Sequence, residues 1–238
     1  MAPTSQGSEP PANPARFRGV KAAVQAAIVG AGYRDPEVIA KNDNRNVQFE
    51  VWYRAPEEVD GPLRPHLLVE LTYSPPRLLT VRRSVRSFVN LATRTDAEIA
   101  DLECVSIEET AAEKLVSLTR RTAGDLEGTK PDAHDPFLVR HVYDLHWLLG
   151  KVDRPAVLQL AREIASSDAE QFASWFPAYR EDPRGWTRRA LDHLERDAEC
   201  HASYTLFLGR MVYGERTAFE EAFRSVSELG TALWDEAP

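Results

Sequence analysis

Apolar and polar positions divide the chain into blocks of different period. Val20, Ala23, Val24, Ala27 and Ile28 recur at helical spacing after Phe17, and Gly30 and Gly32 supply a stop, so the pattern predicts a first helix near residues 16–30. Val47, Phe49, Val51 and Tyr53 then alternate with Gln48, Glu50, Trp52 and Arg54, the period of two expected of a half-buried strand. Pro56 and the Asp60-Gly61-Pro62 turn end it. A second strand, His66 to Tyr73, is apolar on both faces except at Glu70, and Pro75-Pro76 closes it. The two read as antiparallel neighbours in one sheet, joined by a long connection.

Beyond Ser106 the period becomes helical. Ser106 and Glu109 make an S-x-x-E capping box, and Ala112, Leu115, Val116 and Leu118 form the buried stripe of a helix expected to end near Arg121. Gly124, Gly128, Lys130, Pro131 and Asp132 mark a loop. Asp135 and Pro136 have the residue types of an N-cap and first helical position, opening a helix that carries Phe137, Leu138, Val142, Leu145, Leu148 and Leu149 to Gly150. Further helices are expected near 154–166, 168–178, 184–210 and 215–234, punctuated by Pro155, Pro177, Pro183 and Gly214. The expected fold is α+β: a small mixed sheet within residues 16–104, followed by a helical region over 105–238.

Composition sets bounds on this picture. The chain has 238 residues, 43% of them hydrophobic, which is enough for a substantial core and excludes a wholly disordered chain. Residues 1–15 are proline-rich and nearly devoid of apolar groups, the composition of a disordered tail. Lys and Arg total 29 against 37 Asp and Glu, a net charge of −8, which argues against indiscriminate nucleic-acid coating. No stretch approaches the ~20 apolar residues of a membrane span, and the N-terminus lacks the basic and apolar regions of a signal peptide. The expectation is a soluble, cytoplasmic protein.

Against that acidic balance, residues 77–94 contain Arg77, Arg82, Arg83, Arg86 and Arg94 and no acid. This segment reads as a solvated arm or edge strand, or as a phosphate-facing patch, because guanidinium forks match phosphate oxygens. Cys104 and Cys200 are too few for a disulfide framework or a structural zinc site and read as small buried or half-buried hydrophobes. The histidine spacings suit joint metal ligation poorly: His141 and His146 are five apart, His193 and His201 eight apart. Walker A, G-x-S-x-G, H-E-x-x-H and C-x-x-C motifs are absent from the sequence.

Three charged residues stand in apolar company and call for partners: Glu70, Lys114 and Asp144. Glu70 has a plain alternative as an outward-facing strand residue, and Asp144 as the i,i+4 partner of Arg140. Glu113 and Arg120 read as surface residues.

The segment Glu108-Glu-Thr-Ala-Ala-Glu-Lys-Leu115, followed by Arg140-His-Val-Tyr-Asp-Leu-His-Trp-Leu-Leu149, resembles the AbiEii/AbiGii nucleotidyltransferase toxin family. That family shows an EE-x-x-AEKL helix and then an RD-x-YDL helix. The resemblance extends over residues 17–225 and is most specific over 105–149. It implies a polymerase-β-like fold and transfer of a nucleotide from an NTP, with Mg²⁺, to an RNA such as tRNA or to a protein, together with a cognate antitoxin. By position, Lys114 would contact nucleotide phosphates and Asp144 would orient that lysine or the nucleotide. Arg82, Arg83 and Arg121 would bind the nucleotide, and Glu70 would face the metal. The family's Gly-Gly-Thr segment and Asp-x-Asp motif have no counterpart here, and His141 stands at the Asp of the RD pair. The expectation is therefore a chain truncated at its start or without catalysis, the alternative function being non-catalytic binding of a nucleotide, an RNA or a partner.

Overall fold

A computed structural model describes residues 14–41, 46–53, 66–72, 74–128, 135 and 137–235. The proline-rich segment up to residue 13, the turn at 60–62, Tyr73 and Pro136 lie outside the described residues. The chain forms two compact units, residues 1–75 and 76–238.

In the first unit, helix α1 (Pro14–Gly30) precedes strands β1 (Glu37–Lys41), β2 (Asn46–Trp52) and β3 (His66–Thr72), which form an antiparallel sheet in the order β1-β2-β3. The helix ends as its glycines foretold. Gly32 takes φ 88°, its N–H reaches the Val29 carbonyl at 3.0 Å, and the Tyr33 N–H reaches Ile28 at 3.3 Å, which is a Schellman closure. On β2 the period-two pattern becomes burial: Val47, Phe49 and Val51 are enclosed by Phe17, Val24 and Ile28 of α1 and by Val38, Val69 and Leu71 of the flanking strands. Strand β1 escapes sequence reading because it is short and sends only Val38 into this cluster; backbone pairing with β2 defines it.

In the second unit, β4 (Val81–Val85), the short helix α2 (Phe88–Thr93) and β5 (Ile99–Cys104) form a two-stranded antiparallel hairpin. Helices α3 (Ile107–Glu127), α4 (Arg140–Leu149), α5 (Arg154–Gln171), α6 (Pro177–Glu181), α7 (Pro183–Arg196), α8 (Ala198–Met211) and α9 (Phe219–Ala232) follow. The α+β class stands, with the strands divided between two antiparallel sheets rather than gathered in one mixed layer. One apolar cluster joins α3, α4, α5, α7 and α9 around Leu115, Leu118, Val142, Leu145, Val157 and Val226.

Several helix limits differ from the sequence reading, each for a tertiary reason. Helix α3 continues past Arg121 to Glu127 because Ala123 and Gly124 pack at the Phe176 and Tyr179 cluster. Gly124 is not a loop residue: a Cβ there would overlap the Phe176 ring. Asp135 caps a tight turn, its Oδ1 accepting the Phe137 N–H at 2.9 Å, and α4 proper begins only at Arg140. Helix α5 runs unbroken through the expected gap at residue 167. The expected helix 184–210 is broken at Asp197, which is extended and caps α8. The chain before Phe219 is held out of α9, with the Thr217 carbonyl accepting the buried Tyr204 hydroxyl at 3.1 Å.

Candidate active site

Helix α3 is fixed at its start by the capping box, but in an altered form. The Ser106 hydroxyl accepts the Glu109 N–H at 3.1 Å, as the motif predicts. The Glu109 carboxylate, 2% exposed, instead accepts the backbone N–H groups of Arg77 at 2.7 Å and Leu78 at 2.9 Å. A motif read as local thus ties the chain ahead of the hairpin to the start of α3.

From that anchored helix, Lys114 and Arg121, seven residues apart, project from similar angular positions toward α4 and the turn before it. The α3–α4 contact rests on Leu115 and Leu118 against Val142 and Leu145, all fully buried. It sets Lys114 Nζ 2.7 Å from Asp144 Oδ2 and 3.4 Å from His141 Nδ1. Arg121 Nη2 lies 2.9 Å from Asp135 Oδ2. The Lys114 and Asp144 side chains keep 25% and 36% exposure, so solvent or a ligand can reach the pair. The pair crosses between helices, in place of the i,i+4 pairing of Asp144 with Arg140 weighed from the sequence.

His141 completes the group. Burial first, then the positive charges of Lys114, Arg140 and Arg121, push its pKa down to about 4, with Asp144 opposing. Its ring is therefore neutral at neutral pH. Because an ammonium can only donate, Nδ1 is the acceptor facing Lys114 and the proton sits on Nε2. His141 lies three residues before Asp144, so a shared helix face was readable in the sequence; the face of α3 opposite them was not.

Of the other expected site residues, Arg82 donates to Asp101 at 2.5 Å in an exposed pair on the β4–β5 hairpin. Arg83 is exposed on β4 opposite Leu102. Asp101 and Glu103 of β5 both act on Arg82, so one arginine of the segment that looked purely basic in sequence is answered by acids from the next strand. Among the described residues, neither Arg82 nor Arg83 hydrogen-bonds to α3 or α4. Glu70 belongs to the other unit, exposed on β3 and receiving Gln48 Nε2 at 2.6 Å.

Arg120 corrects the sequence reading. It lies inside, its side chain 11% exposed and its Nε 2.9 Å from Asp168 Oδ2. Its guanidinium sits 4.1 Å from the centre of the Phe172 ring and 5.4 Å from that of Phe176. Burial lowers the Arg120 pKa and raises that of Asp168, each opposed by the other's charge. Adjacent helix positions point about 100° apart, so Arg120 and Arg121 serve different sides of α3.

Mg²⁺ requires hard oxygen donors, usually one or two free carboxylates together with phosphate oxygens. Asp144 and Asp135 are each engaged by a cation of α3, and Glu70 by Gln48. Among the described residues, the one cluster of three metal-ligating side chains contains a histidine and a cysteine, donors unsuited to Mg²⁺. The carboxylates that face the α3 cations Lys114 and Arg121 are thus already engaged.

No helix among the described residues is long and apolar enough to cross a membrane. No curated protein and no solved structure matches the chain. The family model described as nucleotidyl transferase AbiEii toxin, type IV TA system, matches residues 11–225, which include both helices that build the Lys114–His141–Asp144 group. With the motif helices packed face to face and the match spanning most of its length, the chain belongs to the AbiEii family of nucleotidyl transferase toxins of type IV toxin–antitoxin systems.

Proposed function

We propose that the α3–α4 face binds the phosphates of a nucleoside triphosphate and that the chain transfers a nucleotide from it to an acceptor, an RNA such as tRNA or a protein. The observation that carries this reading is the Lys114–Asp144 pair, made across two helices and left reachable from solvent. Asp144 holds the ammonium in place, and neutral His141 accepts one of its hydrogens without adding a competing cation. A phosphate entering at Lys114 would gain a charge-assisted hydrogen bond, with Arg121 and Arg140 adding positive potential. Arg82 and Arg83 would serve a longer ligand by meeting acceptor phosphates on the hairpin, Arg82 by exchanging Asp101 for phosphate. No step of this reading passes through Glu70 or Mg²⁺.

A second reading, binding without transfer, is favoured by one specific feature: both carboxylates beside the α3 cations are already paired. Full-length protein with labelled NTPs, Mg²⁺ and total tRNA separates the two. Transfer of label, together with a loss of NTP affinity of about tenfold or more in Lys114→Ala, supports the enzyme reading. Retained label without transfer supports the second. Unchanged NTP binding in a folded Lys114→Ala protein overturns both.

A further inference from the structure

A different set of chemistry-bearing side chains gathers at the elbow between α7 and α8. Asp197 is extended there (φ −79°, ψ 115°), and its Oδ1 accepts the Glu199 N–H at 3.1 Å, which starts α8 on a new axis. The bend brings His193, four residues back, and Cys200, three residues on, to the other carboxylate oxygen. His193 Nε2 lies 3.5 Å and Cys200 Sγ 3.2 Å from Asp197 Oδ2, and the three ligand atoms all fall within 4.8 Å of one another. Tetrahedral zinc, with bonds of about 2.0–2.3 Å, holds its donors roughly 3.3–3.6 Å apart. The His193–Asp197 separation of 3.5 Å falls in that range and the Cys200–Asp197 separation of 3.2 Å lies just below it.

We propose that His193, Asp197 and Cys200 form a Zn²⁺ site that fastens the α7–α8 elbow, with solvent as the fourth ligand. The nitrogen, oxygen and thiolate set suits zinc and excludes Mg²⁺ and Ca²⁺, which take oxygen donors. The His193 and Asp197 side chains keep 36% and 27% exposure, so an ion can enter and a water can complete the shell. Asp125 of α3 and Glu199 of α8 add negative charge around the sulfur. His201 is turned elsewhere, its Nε2 2.9 Å from the Glu195 carbonyl and its Nδ1 3.9 Å from Glu220. Binding forms the Zn–Sγ, Zn–Nε2 and Zn–Oδ2 bonds. The thiol proton leaves to solvent, and the imidazole hydrogen moves from Nε2 to Nδ1. The fastening has a structural purpose: Tyr204 is the one fully enclosed side chain of α8 among the described residues, so little apolar burial holds that helix. The site stands independently of the nucleotide-binding reading.

Chelator-treated full-length protein titrated with Co²⁺ tests it. The expected result is one equivalent bound, with a thiolate-to-cobalt charge-transfer band that added Zn²⁺ abolishes. Cys104→Ser keeps the band, Cys200→Ser loses it, and His193→Gln weakens metal affinity by about tenfold or more. Circular dichroism verifies that each variant is folded. In the unaltered protein, Zn²⁺ should slow alkylation of Cys200 and leave Cys104 unaffected, a readout that needs no variant. A missing thiolate band, a band that follows Cys104, or alkylation of Cys200 indifferent to Zn²⁺ would overturn the proposal.

Discussion

Lowering the pH from 7 to 4 should cost this protein stability through His141 in particular. The imidazole is held at about 4, first by burial and then by Lys114, so the folded chain resists protonation that the unfolded chain accepts at the ordinary 6.5. Between those two values the unfolded state carries more protons, and stability therefore rises with pH across that window. The contribution is fully present above 6.5, is lost as pH falls toward 4, and changes no further below. At about 1.4 kcal/mol per pH unit, the gap is worth about 3 kcal/mol. Urea unfolding at several pH values, in the wild type and in His141→Gln, isolates it, because the other titrating groups are common to both. The difference between the two proteins should change with pH by about 3 kcal/mol. Lys114→Met removes the largest charge acting on the ring, so the His141 resonance should then titrate at higher pH in NMR. A wild-type His141 titrating at or above 6.5, or two parallel stability curves, would refute the buried, lysine-facing geometry.

The other predictions concern packing and pairing. Asp168→Asn leaves the enclosed Arg120 charge without its partner and should cost about 2–4 kcal/mol in urea unfolding; a loss under about 0.5 kcal/mol would mean that solvent reaches the pair freely. Gly124→Ala drives a methyl into the Phe176 ring and should cost about 1–3 kcal/mol, with Phe176→Ala in the same chain relieving part of it, read as non-additive Tm shifts. Phe49→Ala empties the centre of the first unit's core and should cost about 3–5 kcal/mol, measured by denaturation of that unit's sheet signal.

Much of this protein is legible where structure is local. The alternation from Val47 to Val51, the Gly32 helix stop, the Ser106 cap and the stripe through Leu115 and Leu118 depend on residues a few positions apart, and the fold honours each. The motif helices were likewise readable, and with them the family and the candidacy of Lys114 and Asp144. The pairing strand β1 was not, because hydrogen bonds between backbones leave no side-chain pattern.

What the sequence determined by itself was the class of each segment and the identity of its charged exceptions. What tertiary structure decided was their company: Lys114 with Asp144 and His141, Arg120 turned inward to Asp168, Glu109 spent on the backbone at Arg77 and Leu78. It also opposed Asp101 to Arg82 of β4 and gathered His193, Asp197 and Cys200 at one elbow. The physical reason is range. Helical and strand periods are set by neighbours within a turn or two, whereas the energy of a charge depends on burial and on partners tens of residues away. Only packing of the apolar stripes brings those partners into contact.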